Sequence, residues 1–355
     1  MLVPVLLFLV GFALLIKGGD WFVDGSVGIA HRFHLPELLI GATIVSIGTT
    51  LPEVMVSAQA AAQGSAGISY GNAIGSIICN TSLIAAITVA AKPGKVDPKS
   101  FRLPAAFFFG AAITYSLVAW TYGRFERWMG IAYLLIFVAY MVISTLHMKK
   151  HPELAEADEE LVEEVEEIEE KVEAIEEKID DLEEKPAAAE EKGGSEKERA
   201  LWQELVMLAV GAAAIALGAH FLVDNGTLIA AALGVPDSVI GLTMVALGTS
   251  LPELITAITS LAKGHGALSL GNVIGANLFN IILVSGMAIT ISPFAVPAEK
   301  TLAGMNASLI VDIPLMLFVM ALLCVPALLK GKLHRLQGIA LLCIYAAFTV
   351  FQFVS

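Results

Sequence analysis

Gly48-Thr49-Thr50-Leu51-Pro52-Glu53 sets a carboxylate beside a helix-breaking proline inside an otherwise apolar segment, and the chain contains this stretch twice. The second copy is Gly248-Thr249-Ser250-Leu251-Pro252-Glu253, and each copy is followed 27 residues later by an asparagine, Asn80 and Asn280. Residues 36–83 align without a gap on residues 236–283, with 19 identities in 48 positions, among them Gly41/Gly241, Thr43/Thr243, Gly71/Gly271, Asn72/Asn272 and Gly75/Gly275. Chance does not produce that agreement, so the chain is an internal repeat.

The surroundings of the two copies are those of a bilayer. The 355 residues are 57% hydrophobic and 15% charged, with a mean hydropathy of +0.77, far too apolar for a water-soluble domain of this size. The net charge of −13 misleads, because residues 151–200 hold 22 of the 34 acids and only 6 of the 21 Lys and Arg. The remainder is mildly basic. Apolar runs long enough to span fall near residues 2–19, 36–62, 71–91, 102–121, 127–147, 202–222, 236–262, 271–292, 304–328 and 336–353. The first matches residues 202–219 and lacks a basic leader or cleavage site, so it reads as a span and not a signal peptide. The excess length of 36–62 and 236–262 predicts helices bent or interrupted at their Gly and Pro positions. Cys79, Cys324 and Cys343 have no ligand-like spacing and read as packing residues.

These spans define the fold class expected: an all-α polytopic membrane protein of ten transmembrane helices, built as two five-helix repeats. Five spans separate each position from its copy, an odd number, so the two halves must be inverted in the membrane. Residues 1–150 form the first repeat, 151–200 an acidic linker and 201–355 the second repeat. With the N-terminus outside, twelve Lys and Arg of the short loops fall on the cytoplasmic side (Lys17, Arg32, Lys92, Lys95, Lys99, Arg102, Lys149, Lys150, Lys263, Lys330, Lys332, Arg335) against Arg124, Arg127 and Lys300 outside. Both termini are then expected outside a cell membrane, with the linker cytoplasmic. Within it Leu161, Val165, Ile168, Val172, Ile175, Ile179 and Leu182 form a heptad seam, so residues 161–182 predict an amphipathic helix that pairs with another helix.

Chemistry follows from the burial of the carboxylates. A charged group at the bilayer centre costs about 3 kcal/mol on insertion scales. No Lys or Arg falls within 36–62, 71–91, 236–262 or 271–292 to neutralise Glu53 or Glu253. The partner must be a cation or a proton. Nearby stand the hydroxyls of Thr49, Thr50, Thr249 and Ser250, the amides of Asn80 and Asn280, and backbone carbonyls released at Gly48/Pro52 and Gly248/Pro252. Oxygen ligands without His or Cys suit Ca²⁺ or Na⁺ and not zinc or copper. A simpler reading makes Thr50-Leu-Pro-Glu53 and Ser250-Leu-Pro-Glu253 helix capping boxes. It accounts for a helix start but not for a carboxylate kept twice in lipid. Asp312 reads as a structural hydrogen-bonding group, and Asp24 and Asp224 as cap or interface residues.

Gly48-Thr-Thr-Leu-Pro-Glu53 with Gly71-Asn-Ala-Ile-Gly-Ser-Ile-Ile-Cys-Asn80, and their second copies, resemble the two alpha-repeats of the cation/calcium exchanger superfamily, closest to its prokaryotic sodium/calcium exchanger branch. The resemblance covers both membrane halves and leaves out the linker. It implies that the second, third, seventh and eighth spans enclose the ions while the first and sixth slide across them. A central Ca²⁺ site would use Glu53 and Glu253, lined by Asn80 and Asn280. Flanking Na⁺ sites would use Thr249, Ser250, Ser76 and the Ala246 carbonyl on one side, and Thr49, Thr50 and the Ser46 carbonyl on the other. Ala276 departs from the pattern where the first repeat has Ser76, and Asn280 stands where some relatives carry aspartate. The function expected is secondary Na⁺/Ca²⁺ antiport by alternating access, not enzymatic, with Ca²⁺ and Na⁺ as substrates, no prosthetic group and no nucleic-acid partner. The alternatives are an H⁺-coupled Ca²⁺ exchanger and a cation channel or membrane sensor.

Overall fold

A computed structural model describes residues 2–33, 35–64, 66–150, 200–232, 250–298, 301–302 and 304–354. The heptad seam at 161–182, and Ala246 and Thr249 among the expected site residues, lie outside the described residues. Ten helices follow one another: α1 Leu2–Arg32, α2 Leu38–Ala62, α3 Gly67–Ala91, α4 Pro98–Tyr122, α5 Arg127–Lys150, α6 Leu201–Ala232, α7 Leu251–Ala262, α8 Gly266–Ile291, α9 Ser308–Lys330 and α10 Arg335–Val354. Among the described residues nine are long and apolar enough to cross a bilayer, and α7 is the described part of the span expected at 236–262. Leu9, Phe12, Trp120, Leu135, Phe318 and Leu329 are exposed on the outside of the bundle, as a lipid-facing shell requires.

α1 and α6 run well past the apolar stretches expected at 2–19 and 202–222. At 1.5 Å per residue, the 31 residues of α1 reach about 46 Å, against about 30 Å of hydrocarbon, so the helix must tilt. Hydropathy drops before the helix ends because its last third carries charges that find protein partners. Asp24 meets Lys263 after α7 at 2.6 Å, and Arg32 meets Glu204 of α6 at 3.0 Å. Asp24 is thus an interface residue. Asp312 accepts from Gln352 Nε2 at 3.3 Å, tying α9 to α10.

Glycines bring α1 and α6 together. A Cβ on Gly18 would meet Ala214 Cβ at 2.9 Å, one on Gly211 would meet the Phe22 nitrogen at 2.5 Å, and one on Gly218 would meet the Gly11 oxygen at 2.8 Å. Gly11 and Gly18 are the copies of Gly211 and Gly218, so each contact is repeated by symmetry. Small residues at such positions let backbones touch where lipid offers no hydrophobic drive.

The inversion is also written in two backbone clasps. Val96 N–H donates to Gly331 O at 3.0 Å, joining the loop after α3 to the end of α9. Its copy, Val296 N–H, donates to Gly123 O at 2.9 Å, joining the loop after α8 to the end of α4. Gly123 (φ 65°) and Gly331 (φ 58°) both end their helices in the left-handed conformation, which a residue with a Cβ resists. The second clasp extends into a short antiparallel pair, β1 Arg124–Phe125 with β2 Phe294–Ala295.

Of the Gly and Pro positions where the sequence predicts a bend or interruption, α2 is irregular at Gly41 and not at Pro52. It passes through Pro52 as one helix from Ser46 to Ala62, and the irregularity lies upstream, in a π-helical turn at Gly41–Val45. Ser46 Oγ donates to Gly41 O at 2.7 Å and Tyr140 Oη to Ala42 O at 2.9 Å, so the widened turn has partners for its carbonyls. Proline lacks an N–H, so Pro52 still leaves the Gly48 carbonyl without its intrahelical bond. π-helical turns recur at Asn80–Ala85 in α3 and Asn280–Ser285 in α8, the same place in each repeat. Around α8 packs the aromatic core, where Phe279 meets Phe137 and Tyr140 at centroid distances of 5.1 and 5.9 Å.

Candidate functional site

Glu53 on α2, Asn80 on α3, Glu253 on α7 and Asn280 on α8 are all fully buried where these four helices touch one another. Each asparagine is the first residue of a π-helical turn, which inserts an extra residue per turn, and such turns often lie at functional positions. The two carboxylates lie within electrostatic reach of each other, and the Thr49 and Thr50 side chains face Glu253. Cys79, one residue before Asn80, sits beside Ser250.

What distinguishes the cluster is a shortage of partners. Both oxygens of Glu53 and Glu253, both amide atoms of Asn80 and Asn280, and the hydroxyls of Thr50 and Ser250 are buried with no hydrogen bond among the described residues. More than nine in ten buried polar groups in proteins have a partner, and an unpaired buried hydrogen-bonding group costs about 1–3 kcal/mol, more for a charged one. No lysine or arginine lies within these stretches of α2, α3, α7 and α8 to compensate. The set is made of hard oxygens, the chemistry that Na⁺ and Ca²⁺ satisfy.

The capping-box reading fails in both copies. Thr50 lies inside a continuous helix, and Ser250, although it precedes α7, makes no side-chain capping bond. Of the flanking residues, Ser46 is buried with its hydroxyl committed to Gly41 O and to Asn272 O at 2.9 Å, which leaves its carbonyl as the group able to serve an ion. Thr49 donates to Asn272 Oδ1 at 3.1 Å. Ser76 is 5% exposed on α3, and Ala276 at the equivalent place on α8 offers no hydroxyl. The structure brings together Glu53, Glu253, Asn80, Asn280, Thr49, Thr50 and Ser250.

Asn72 and Asn272 are supporting residues that the sequence marked only as part of a glycine motif. Asn72 Nδ2 donates to Glu53 O at 3.1 Å and Ser57 Oγ at 2.8 Å, fixing α2 behind its carboxylate. Their repetition between two glycines was the available signal.

The model of the family described as sodium/calcium exchanger protein matches residues 3–146 and 204–354. The chain belongs to this family. Among curated proteins it is 32% identical to the putative antiporter CaxA of Alkalimonas amylolytica, over 100% of this chain and 99% of that one. It is 29% identical to the sodium/calcium exchanger MaX1 of Methanosarcina acetivorans, over 98% of each. Among solved structures, that of the sodium-calcium exchanger NCX_Mj superposes with a TM-score of 0.73 at 30% identity, covering 98% of this chain and 97% of that one. The sodium/calcium exchanger family is one of transporters, so this chain is an antiporter of Na⁺ against Ca²⁺ and not an enzyme. Its ten transmembrane helices form two inverted repeats of five. The family favours sodium over the proton as the coupling ion.

Proposed function

We propose that Na⁺ and Ca²⁺ are exchanged at one midplane site in which Glu53 and Glu253 are the shared ligands and Asn80 and Asn280 line the cage. Thr49, Thr50 and the Ser46 carbonyl serve a sodium ion on one side, and Thr249, Ser250, Ser76 and the Ala246 carbonyl serve one on the other. The observation that carries this reading is the set of buried carboxylate, amide and hydroxyl oxygens that lack a hydrogen-bond partner among the described residues. Two carboxylates cannot satisfy a calcium ion and a full sodium load together, so the ions compete. That competition is the coupling, and it leads to alternating access when only a loaded site lets the apolar α1–α6 pair pass over it.

Asn280 being an amide leaves the site two formal negative charges, which one Ca²⁺ neutralises. A load of three Na⁺ would leave it positive, so exchange at that ratio moves net charge. The test is Ca²⁺ flux from reconstituted vesicles driven in turn by a sodium gradient, a proton gradient and an imposed membrane potential. Sodium and potential should drive it; a proton gradient alone should not. Flux under the proton gradient alone would overturn the assignment of the flanking sodium sites.

The finer organisation belongs to the same proposal. Residues 1–150 and 201–355 are the two membrane halves in a cell membrane with both termini outside, and residues 151–200 are a cytoplasmic linker whose seam at 161–182 pairs with another helix. Labelling of single cysteines introduced at residue 2 and in the linker, from each side of intact cells, checks the orientation.

A further inference from the structure

Beyond Glu253, α7 carries two more buried oxygens on the same face. Thr256 and Ser260 follow the carboxylate by three and seven residues and Ser250 precedes it by three, spacings that return to one side of an α-helix. Ser250 is 2% exposed, and Glu253, Thr256 and Ser260 are 0% exposed. Among the described residues, none of their side-chain oxygens has a hydrogen-bond partner. Other helical hydroxyls of this bundle do find partners. Thr81, Thr290 and Ser26 all donate to the carbonyl four residues back, at 2.8, 2.7 and 2.6 Å. The row ends where the chain turns into α8, His265 N–H donating to Ser260 O at 2.8 Å.

The first repeat has no such row. Val56 and Ala60 stand at the equivalent places on α2, and the hydroxyl that follows Glu53 there, Ser57, is taken by Asn72. Since the repeats are inverted, α2 and α7 lead from the midplane to opposite faces of the membrane. Among the described residues, only α7 carries such a row beyond its carboxylate.

We propose that Thr256 and Ser260 form a cation track, replacing water ligands of Na⁺ as it passes between Glu253 and the membrane face at which α7 ends. Two neutral hydroxyls suit a monovalent ion in transit, whereas Ca²⁺ takes six to eight oxygens and favours carboxylates. The proposal rests on the reading of Glu53 and Glu253 as the exchange site.

The test is a T256V/S260A double variant, near-isosteric with the natural chain, reconstituted in oriented vesicles beside E253Q. Sodium-driven Ca²⁺ flux is measured against Na⁺ concentration on each face, with equilibrium Ca²⁺ binding in parallel. Loss of two ion contacts should raise the apparent KM for Na⁺ about tenfold on the face where α7 ends and less than about twofold on the other, with Ca²⁺ binding unchanged. T256S should restore the natural value. If the double variant fails to insert, the single variants T256V and S260A carry the expectation at about threefold each. An unchanged KM on both faces, an equal rise on both, or lost Ca²⁺ binding in a folded variant overturns the track. Natural flux in E253Q would instead overturn the exchange site itself.

Discussion

Asn72 and Asn272 occupy equivalent positions in the two repeats and reach in different directions. Asn72 ties α2 to α3 within its own half, through Glu53 O and Ser57 Oγ, and Ser69 closes the same network by donating to Ser57 O at 2.9 Å. Asn272 instead accepts from Ser46 and Thr49 of the other half, and its own Nδ2 is buried without a partner among the described residues. Part of the difference is one substitution, since Ala257 stands where the first repeat has Ser57 and offers Asn272 no hydroxyl. Ser269 pairs with Thr88 of α3 at 3.2 Å. The first repeat is therefore braced internally, while the second is held by the first and keeps polar groups unpaired along α7. Identical sequence motifs have been given two mechanical roles.

The largest effect expected tests where the halves still agree. Glu53→Gln and Glu253→Gln each keep the side-chain shape and remove a charge that nothing nearby replaces. Each should cut sodium-driven Ca²⁺ flux by about a hundredfold or more, as loss of one member of a buried charge pair does elsewhere. The protein should stay folded by its thermal transition in detergent. A loss in one variant and not the other would show that the asymmetry extends to the carboxylates.

Next in size is the seam between α1 and α6, where the halves contribute equally. Gly211→Ala drives a methyl group against the Phe22 backbone, and Gly18→Ala drives one against Ala214 and the Ile215 nitrogen. Overpacking of this kind costs about 1–3 kcal/mol, visible as a lower unfolding temperature, and it should slow exchange. The two variants should lose similar amounts.

A reciprocal pair addresses the asparagines directly. Ser57→Ala should remove one of the two bonds that Asn72 donates and leave the one to Glu53 O, destabilising the protein by about 1 kcal/mol. Ala257→Ser should give Asn272 Nδ2 a hydroxyl and stabilise by about 1 kcal/mol. If stiffness in the second repeat limits the cycle, the stabilised variant will also turn over more slowly; equal unfolding temperatures for both variants would remove the contrast drawn here.

The smallest effect is expected outside both halves. Replacing residues 155–195 by a short flexible segment should leave coupled flux within about twofold of the natural rate, because no ligand or spanning element is assigned there. Lost transport in a correctly inserted deletion would make the linker part of the moving machinery.

The inverted fold and the buried polar cluster around Glu53 and Glu253 were legible in the sequence because both rest on repetition. A proline and a carboxylate in lipid, met twice at an even offset with an odd number of spans between, leave few arrangements. Less legible was the backbone around them. Pro52 suggested a break, yet a proline inside a well-packed helix removes a single bond, and the irregularity settled instead at Gly41–Val45, where side chains from Ser46 and Tyr140 could serve the widened turn. Hydropathy also misjudged the end of α1, since it counts Asp24 and Arg32 as costs and cannot see that they pair. The unpaired hydroxyls of Thr256 and Ser260 could not be read in advance, because a lack of partners is a property of three dimensions.

The glycine seam bears on how such a chain could arise. Gly18 meets α6 near Gly211, and Gly11 meets it at Gly218, so each half offers the other the same pair of notches. A contact that is its own mirror under exchange of partners is isologous, the kind made by two copies of one subunit about a two-fold axis. It asks for no second sequence. A half-length chain inserted into a membrane in both orientations would close this seam with itself, and fusing two such halves requires only a connection with an odd number of crossings between equivalent points. The divergence seen at Ser57 and Ala257, or at Val56 and Thr256, is then a freedom open only to a fused chain, because a homodimer must carry every substitution on both sides of its axis.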